Sequence, residues 1–238
     1  MKWFATLCLV LLGAFLLWSQ ILDVHKASEP GESVLRFSGF DWRVKTSPGS
    51  VGPGPNIFGA GAATVDAQGK LHLRVYREGN RWLCGEVISR LSFGYGEYRL
   101  VVAETAGLDV NTVLGFFTWD SGAREKSFRE ADVEISRWGE ENAPPAQFVL
   151  QPFVRNGNRV RFALPPGRAE FSFRWMPGRM VFKAVVDDRV VREHVFTNGV
   201  PEPSPETNIR LNMWQYLSVP PADGKDVEAV VESFKFLP

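Results

Sequence analysis

The sequence predicts an all-β protein built as two antiparallel sheets packed face to face, a β-sandwich or jelly roll, and three observations carry that prediction. Short runs of β-branched and aromatic residues follow one another along most of the chain, Gly and Pro punctuate them, and no stretch repeats apolar residues at helical spacing. A sheet with one apolar face must bury it against another layer, and without helices that layer is a second sheet.

Length and charge narrow the class further. The 238 residues, 45% of them hydrophobic, suffice for one sizeable core, and 27 basic against 27 acidic residues leave no formal net charge. With no basic run or face, nucleic acid is not an expected partner, and small neutral partners fit better. The simplest organisation is one large domain, and we expect a monomer.

Taken in order, the chain opens on "MKWFATLCLVLLGAFLLWSQ", a single Lys followed by an apolar run from Trp3 to Trp18. Residues 1–20 are therefore expected to be an export signal or an N-terminal membrane anchor, placing the rest secreted, periplasmic or membrane-anchored outside the cytoplasm. The run is long for a cleaved core and short for a spanning helix, so both fates stay open. Residues 21–33 read as a linker, and 34–238 as the folded domain. Cys84 is then the domain's lone cysteine, so no internal disulfide is expected and it reads as a small buried hydrophobe.

"SPGSVGPGPN", residues 47–56, is too rich in Gly and Pro for regular structure and reads as a loop over a cleft. "ATVDAQGKLHLRVYREGNRW" shows two runs around "DAQGK", with Leu71, Leu73 and Val75 alternating with His72, Arg74 and Tyr76, the pattern of a half-buried strand. Further strands are expected in "GEYRLVVAE", "TVLGFFTW", "EADVEIS", "QFVLQPF", "RAEFSFRWM", "RMVFKAVVDDRVVREHVF", "NIRLNMWQY" and "VEAVVESFKFL". "VLGFFTW" is apolar at both parities and suits a strand covered on both faces. "VVDDRVV" reads as a hairpin with Asp187 and Asp188 at its tip, not as a metal site. His72 and His194 read as ordinary strand residues.

Chemistry concentrates in "SFREADVEISRWG", residues 127–139, where Glu130, Asp132 and Glu134 occupy alternate positions. A strand turns these three to one face and Ala131, Val133 and Ile135 to the other. Such a row is either the wet face of an exposed strand or a set of carboxylates aimed at a substrate. Hydrolysis of a glycosidic bond uses two carboxyl groups, one to protonate the leaving oxygen and one to attack the anomeric carbon or activate water. Glu130 and Glu134 would lie about 13 Å apart along a straight strand, against roughly 5 to 5.5 Å between the carboxyls of a retaining pair, so they must lean together. Trp119 and Trp138 flank the row in sequence and offer faces on which sugar rings stack. Arg137, beside the row, is a candidate either to contact substrate or to pair with a carboxylate.

These residues resemble glycoside hydrolase family 16, the laminarinase and lichenase group. "EADVE" is similar to that family's E-x-D-x-E active-site strand, and "PGPNIF", "DAQGKLHLRV", "EVISRLSFGYGEYRLVV", "LGFFTWD", "FSFRWMPGRMVFKAVVDDRVV" and "NIRLNMW" occur in the family's order, spanning nearly residues 37–236. The resemblance implies a concanavalin A-like jelly roll with a concave substrate cleft. It implies Glu130 as nucleophile, Asp132 as its assistant and Glu134 as acid/base, with Asn212 and Trp214 as substrate contacts. It also implies a polysaccharide substrate, β-1,3 or mixed-linkage glucan foremost, cut internally with retention. The chain departs from the family pattern in three places, one of them the lack of a "WPAFW" segment of the laminarinase type. Phe128 stands where a Trp is common, keeping an apolar platform without the indole donor, and "ISRWG" delays the next aromatic to Trp138.

No cofactor is called for, and no His-rich cluster suggests a metal, although a structural calcium ion stays open. Two other functions fit the same residues: a non-catalytic carbohydrate-binding module, and a cell-envelope transglycosylase that shares the covalent intermediate and hands the sugar to another saccharide.

Overall fold

The computed structural model describes residues 33–125 and 127–238. The expected signal or anchor over 1–20, and the linker as far as residue 32, lie outside the described residues. Among these, the first half of the chain forms β1 (Val34–Phe37), β2 (Phe40–Val44), β3 (Ile57–Phe58), β4 (Ala63–Val65), β5 (Leu71–Glu78), β6 (Arg81–Ser89), β7 (Gly96–Val102) and β8 (Thr112–Trp119). The second half forms β9 (Ala131–Ile135), β10 (Ala146–Leu150), β11 (Arg159–Phe162), β12 (Ala169–Met176), β13 (Arg179–Val186), β14 (Arg189–Phe196), β15 (Asn208–Gln215) and β16 (Val227–Leu237).

The strands build an antiparallel β-sandwich. One sheet runs β11-β10-β9-β8-β15-β6, with β2 and then β1 beyond β6. The other runs β6-β5-β16-β7-β12-β13-β14, with β4 alongside β5. The two-residue β3 pairs with β6 in parallel.

β6 belongs to both layers. Its residues 81–84 pair with β5, and 85–88 pair with β15. The change of partner falls at Gly85, where a Cβ would collide with the carbonyl oxygen of Ala62, so only glycine allows the backbones to close there.

Aromatic rings fill the space between the layers. Phe116 of β8 meets Phe173 of β12 at 5.0 Å between centroids, and Phe148 of β10 meets Phe182 of β13 at 5.2 Å. All four rings are buried, and at roughly 25 cal/mol per Å² of apolar surface each contributes on the order of 3 kcal/mol or more. β9 joins this core through Ala131, Val133 and Ile135. Strand geometry then turns Asp132 and Glu134 to the opposite face, and Glu130, just before β9, joins them at one cleft.

Other expected elements are also present. β8 is buried at every position but Trp119, the two-sided covering expected of "TVLGFFTW". Asp187 and Asp188 form the β13–β14 turn with φ of 46° and 64°, the left-handed pair that a two-residue hairpin requires. Cys84 is buried, and its thiol donates to Asn56 Oδ1 at 3.5 Å. Five strands, β1, β2, β3, β6 and β11, were not anticipated. β1, β2 and β11 carry Arg or Asp among few apolar residues, β3 has only two residues, and the apolar run of β6 is interrupted by Gly85 and Glu86.

Candidate active site

β9 presents the acids, and the segment before it turns the first of them into place. The β8–β9 register ends at Phe117 and Asp132. Beyond it, the Thr118 hydroxyl accepts from the Ala131 N–H at 3.0 Å and donates to the Arg129 carbonyl at 2.7 Å, replacing the ladder with a side chain. Phe128 and Arg129 take φ of 51° and 53°, a conformation that costs a non-glycine residue about 1 kcal/mol or more. Tertiary contacts hold them there. Arg129 pairs with buried Asp120 at 3.0 Å and donates to the Glu202 carbonyl at 2.7 Å, while the Phe128 carbonyl accepts from the Asp120 N–H at 2.8 Å. Glu130 therefore leaves a turn and does not continue a straight strand, and it lies within reach of the Glu134 charge, which raises its proton affinity.

The three acids line one cleft of about 330 Å³, with Phe117, Trp119, Asn212, Trp214, Glu86 and Arg210 among its other walls and Gly52 and Pro53 over it. The 47–56 loop thus covers the cleft as expected. A wider depression of about 760 Å³ lies on the outer face of the second sheet, lined by Arg, Lys and Glu side chains of β7, β12 and β13, several of them ion-paired, by Asp187 and Asp188 of the β13–β14 turn, and by no aromatic ring. It has no buried acid to perform chemistry.

One polar row crosses the floor, set by register alone. Glu86, Asn212, Gly115, Glu134, Gln147 and Arg161 are successive cross-strand partners on β6, β15, β8, β9, β10 and β11. Glu86 is 0% exposed and is compensated by Lys45 at 2.8 Å and Arg210 at 3.1 Å. Burying that carboxylate without partners would cost several kcal/mol, so the ion pairs are a condition of its place in the floor. Gly115 leaves a gap, because a Cβ there would sit 2.5 Å from Asn212 Oδ1. That oxygen is buried and has no hydrogen-bond partner within the protein, an uncompensated acceptor in the cleft floor.

Burial raises the proton affinity of all three acids. Glu130 is pushed up to about 8, by burial first and the Glu134 charge second, while its hydrogen bond with Asp132 and the Arg210 charge oppose the rise. Asp132 is raised by burial and by both neighbouring glutamates. Glu134 is raised by burial alone, against the Gln147 hydrogen bond and the charges of Arg161 and Arg159. Three anions cannot coexist in this space near neutral pH, so the trio retains protons. Asp132 is 3% exposed and loses most hydration. Its hydrogen bond with Glu130 raises the proton affinity of Asp132 and lowers that of Glu130, the direction in which Asp132 acts as donor and charge is favoured on the carboxylate near Arg210.

Trp119 stacks on Phe128 at 4.4 Å between centroids, and Arg210 covers Trp119 at 5.1 Å. Phe128 therefore supports the Trp119 platform from behind and is not itself among the residues lining the cleft. Trp138 does not line it either. It follows Ser136 in a turn with φ of 50°, and its ring lies 4.3 Å beneath the Arg161 guanidinium. Arg137 faces a separate small hollow beside Ser136 and Leu164. Sequence reading missed Glu86, Lys45, Arg210, Gln147 and Arg161. The one signal for Glu86 was a lone acid inside the apolar run "LCGEVIS". Among the described residues, no group of three or more His, Cys, Asp or Glu side chains is arranged to hold a metal ion.

No protein-family model matches the chain, and no curated protein matches it in sequence. Solved structures do match in shape. A β-glucanase from Bacillus licheniformis aligns at a TM-score of 0.64 and 19% identity, over 90% of this chain and 95% of that one. A Bacteroides ovatus mixed-linkage-glucan protein of glycoside hydrolase family 16, in complex with a G4G4G3G product, aligns at 0.64 and 14% identity over 82% and 94%. A transglycosylase in complex with NAG aligns at 0.53 and 14% identity over 75% and 77%. The fold is thus the jelly roll of the family 16 glucanases.

Proposed function

We propose that this protein is a retaining glycoside hydrolase that cuts within a β-linked polysaccharide, a β-1,3 or mixed-linkage glucan foremost. The observation that carries the reading is the convergence of Glu130, Asp132 and Glu134 on one cleft whose environment keeps part of the trio protonated. Fold neighbours described as β-glucanase and as a complex with a mixed-linkage-glucan product support the substrate class.

In the first step, Glu130 attacks the anomeric carbon while the bond to the leaving oxygen breaks and Glu134 donates its proton to that oxygen. In the second, Glu134 takes a proton from water, the resulting oxygen nucleophile attacks the same carbon, and Glu130 departs as carboxylate. Asp132, by donating to Glu130, steadies the carboxylate before attack and after release. Trp119 and Trp214 supply apolar faces for the rings, and Asn212 Oδ1 accepts from a hydroxyl.

Reducing-end release from laminarin, mixed-linkage glucan, agarose and carrageenan tests the reading with residues 27–238 and the Glu130→Gln variant. Release from one polymer that falls by at least about a thousandfold in the variant is expected. Sugar binding without release from any polymer would replace this reading with a binding module, and longer products formed with an added acceptor saccharide would make the protein a transglycosylase.

A further inference from the structure

The last two members of the polar row bear on the acid/base. Gln147 is buried and donates from Nε2 to Glu134 Oε2 at 2.5 Å. On its other side, Arg161 Nε donates to Gln147 Oε1 at 3.2 Å. A primary amide has a donor end and an acceptor end, and its remaining partners decide which end meets a given neighbour. A guanidinium carries donors only, so Arg161 can engage only the carbonyl end. The N–H end is thereby committed to Glu134. Arg161 is itself seated on the face of Trp138, which fixes its own direction.

We propose that Arg161 is a positioning residue for Glu134, acting through Gln147: by holding the amide carbonyl it keeps an N–H aimed at the carboxyl and so sets the pH at which Glu134 exchanges its proton. The proposal rests on the reading of Glu134 as acid/base. An N–H donor favours the carboxylate over the acid, so the relay opposes the effect of burial. That suits a group that must lose its proton to the leaving oxygen and recover one from water within a single turnover. A freed amide could rotate, offer its carbonyl and favour the acid instead.

The surrounding charges allow Arg161 this influence. Asp132 lies on Glu134's own strand and Glu130 immediately before it, β8 opposes it with Gly115, and β10 contributes the uncharged Gln147. Arg159 and Arg161 face it from β11, while Arg210 and Glu86 are bonded to each other farther along the floor. Arg159 adds charge but no hydrogen bond to the amide, its guanidinium lying 5.4 Å from the Phe153 ring. Replacing Arg159 therefore removes field without freeing the amide, and replacing Arg161 removes both.

The test is a carbon-13 titration of the Glu134 carboxyl, assigned by its loss in Glu134→Gln, in the wild-type protein and in Arg161→Ala, Arg161→Gln, Arg161→Lys and Arg159→Ala. The pH dependence of kcat/KM on the cleaved polymer is measured alongside. Expected are an upward shift of the Glu134 midpoint and of the alkaline limb of kcat/KM in Arg161→Ala and Arg161→Gln. The shift should be smaller in Arg159→Ala, and Arg161→Lys should lie nearest to wild type. A midpoint unmoved in both uncharged Arg161 variants, or moved equally by Arg159→Ala, would overturn the proposal. A shifted midpoint in a protein that hydrolyses no polymer would leave the relay standing and remove the catalytic reading on which its purpose depends.

Discussion

Burial beside two other carboxyls pushes Glu130 up to about 8, so the coupled trio binds more protons than the same residues in an unfolded chain. Between the ordinary carboxyl range and that value the folded protein keeps a proton that the unfolded chain releases, so stability is full at low pH and falls as pH rises toward about 8. Glutamine at this position cannot ionise and escapes the loss. The Glu130→Gln variant is accordingly expected to melt with wild type near pH 4 and above it at pH 8. A benefit of about 1 kcal/mol would read as a gap of ~3 °C in a chain of this size. Calorimetric scans across that range check the expectation, and a gap independent of pH would contradict it. The acids themselves were legible in the sequence, because alternation places them on one face. Their partners were not. Lys45, Glu86 and Arg210 meet only through tertiary pairing of distant strands, and no local pattern records which lone charge in one strand will answer another.

At the scale of elements, β8 and β15 make the floor and β9 arms it. The gap at Gly115 is a requirement of that floor, since a methyl group there would lie 2.5 Å from Asn212 Oδ1. Gly115→Ala should displace Asn212, lower Tm by an amount corresponding to about 1–3 kcal/mol of overpacking, and weaken sugar binding. Thermal melts with binding isotherms on the cleaved polymer measure both, and an unchanged Tm with unchanged affinity would show that Asn212 moves aside freely. Most strands with long apolar runs could be read in advance, as could the hairpin at Asp187 and Asp188. β11 could not, because "RVRF" offers only two apolar residues, yet this edge strand supplies Arg161. Trp138 was placed in the cleft on proximity in sequence. The turn with positive φ after β9 swings it instead beneath Arg161, a change of direction that composition does not reveal.

For the molecule as a whole, one strand shared between two sheets joins the layers, and the aromatic core between them holds the concave face that carries the cleft. The sandwich class was legible from strand length and punctuation alone. The cleft's chemistry was legible only where three acids alternate in one short stretch, since its other walls come from Lys45, β6, β8, β15 and the 47–56 loop. The central claim is that Glu130 forms a covalent bond to sugar. Inactivation with an epoxyalkyl β-glycoside of the cleaved glucan, followed by peptide mapping, tests it most directly. One label per molecule, on the peptide segment carrying Glu130 and at Glu130 itself, is the expected result; a label at Glu134, or time-dependent inactivation undiminished in Glu130→Gln, would contradict the account.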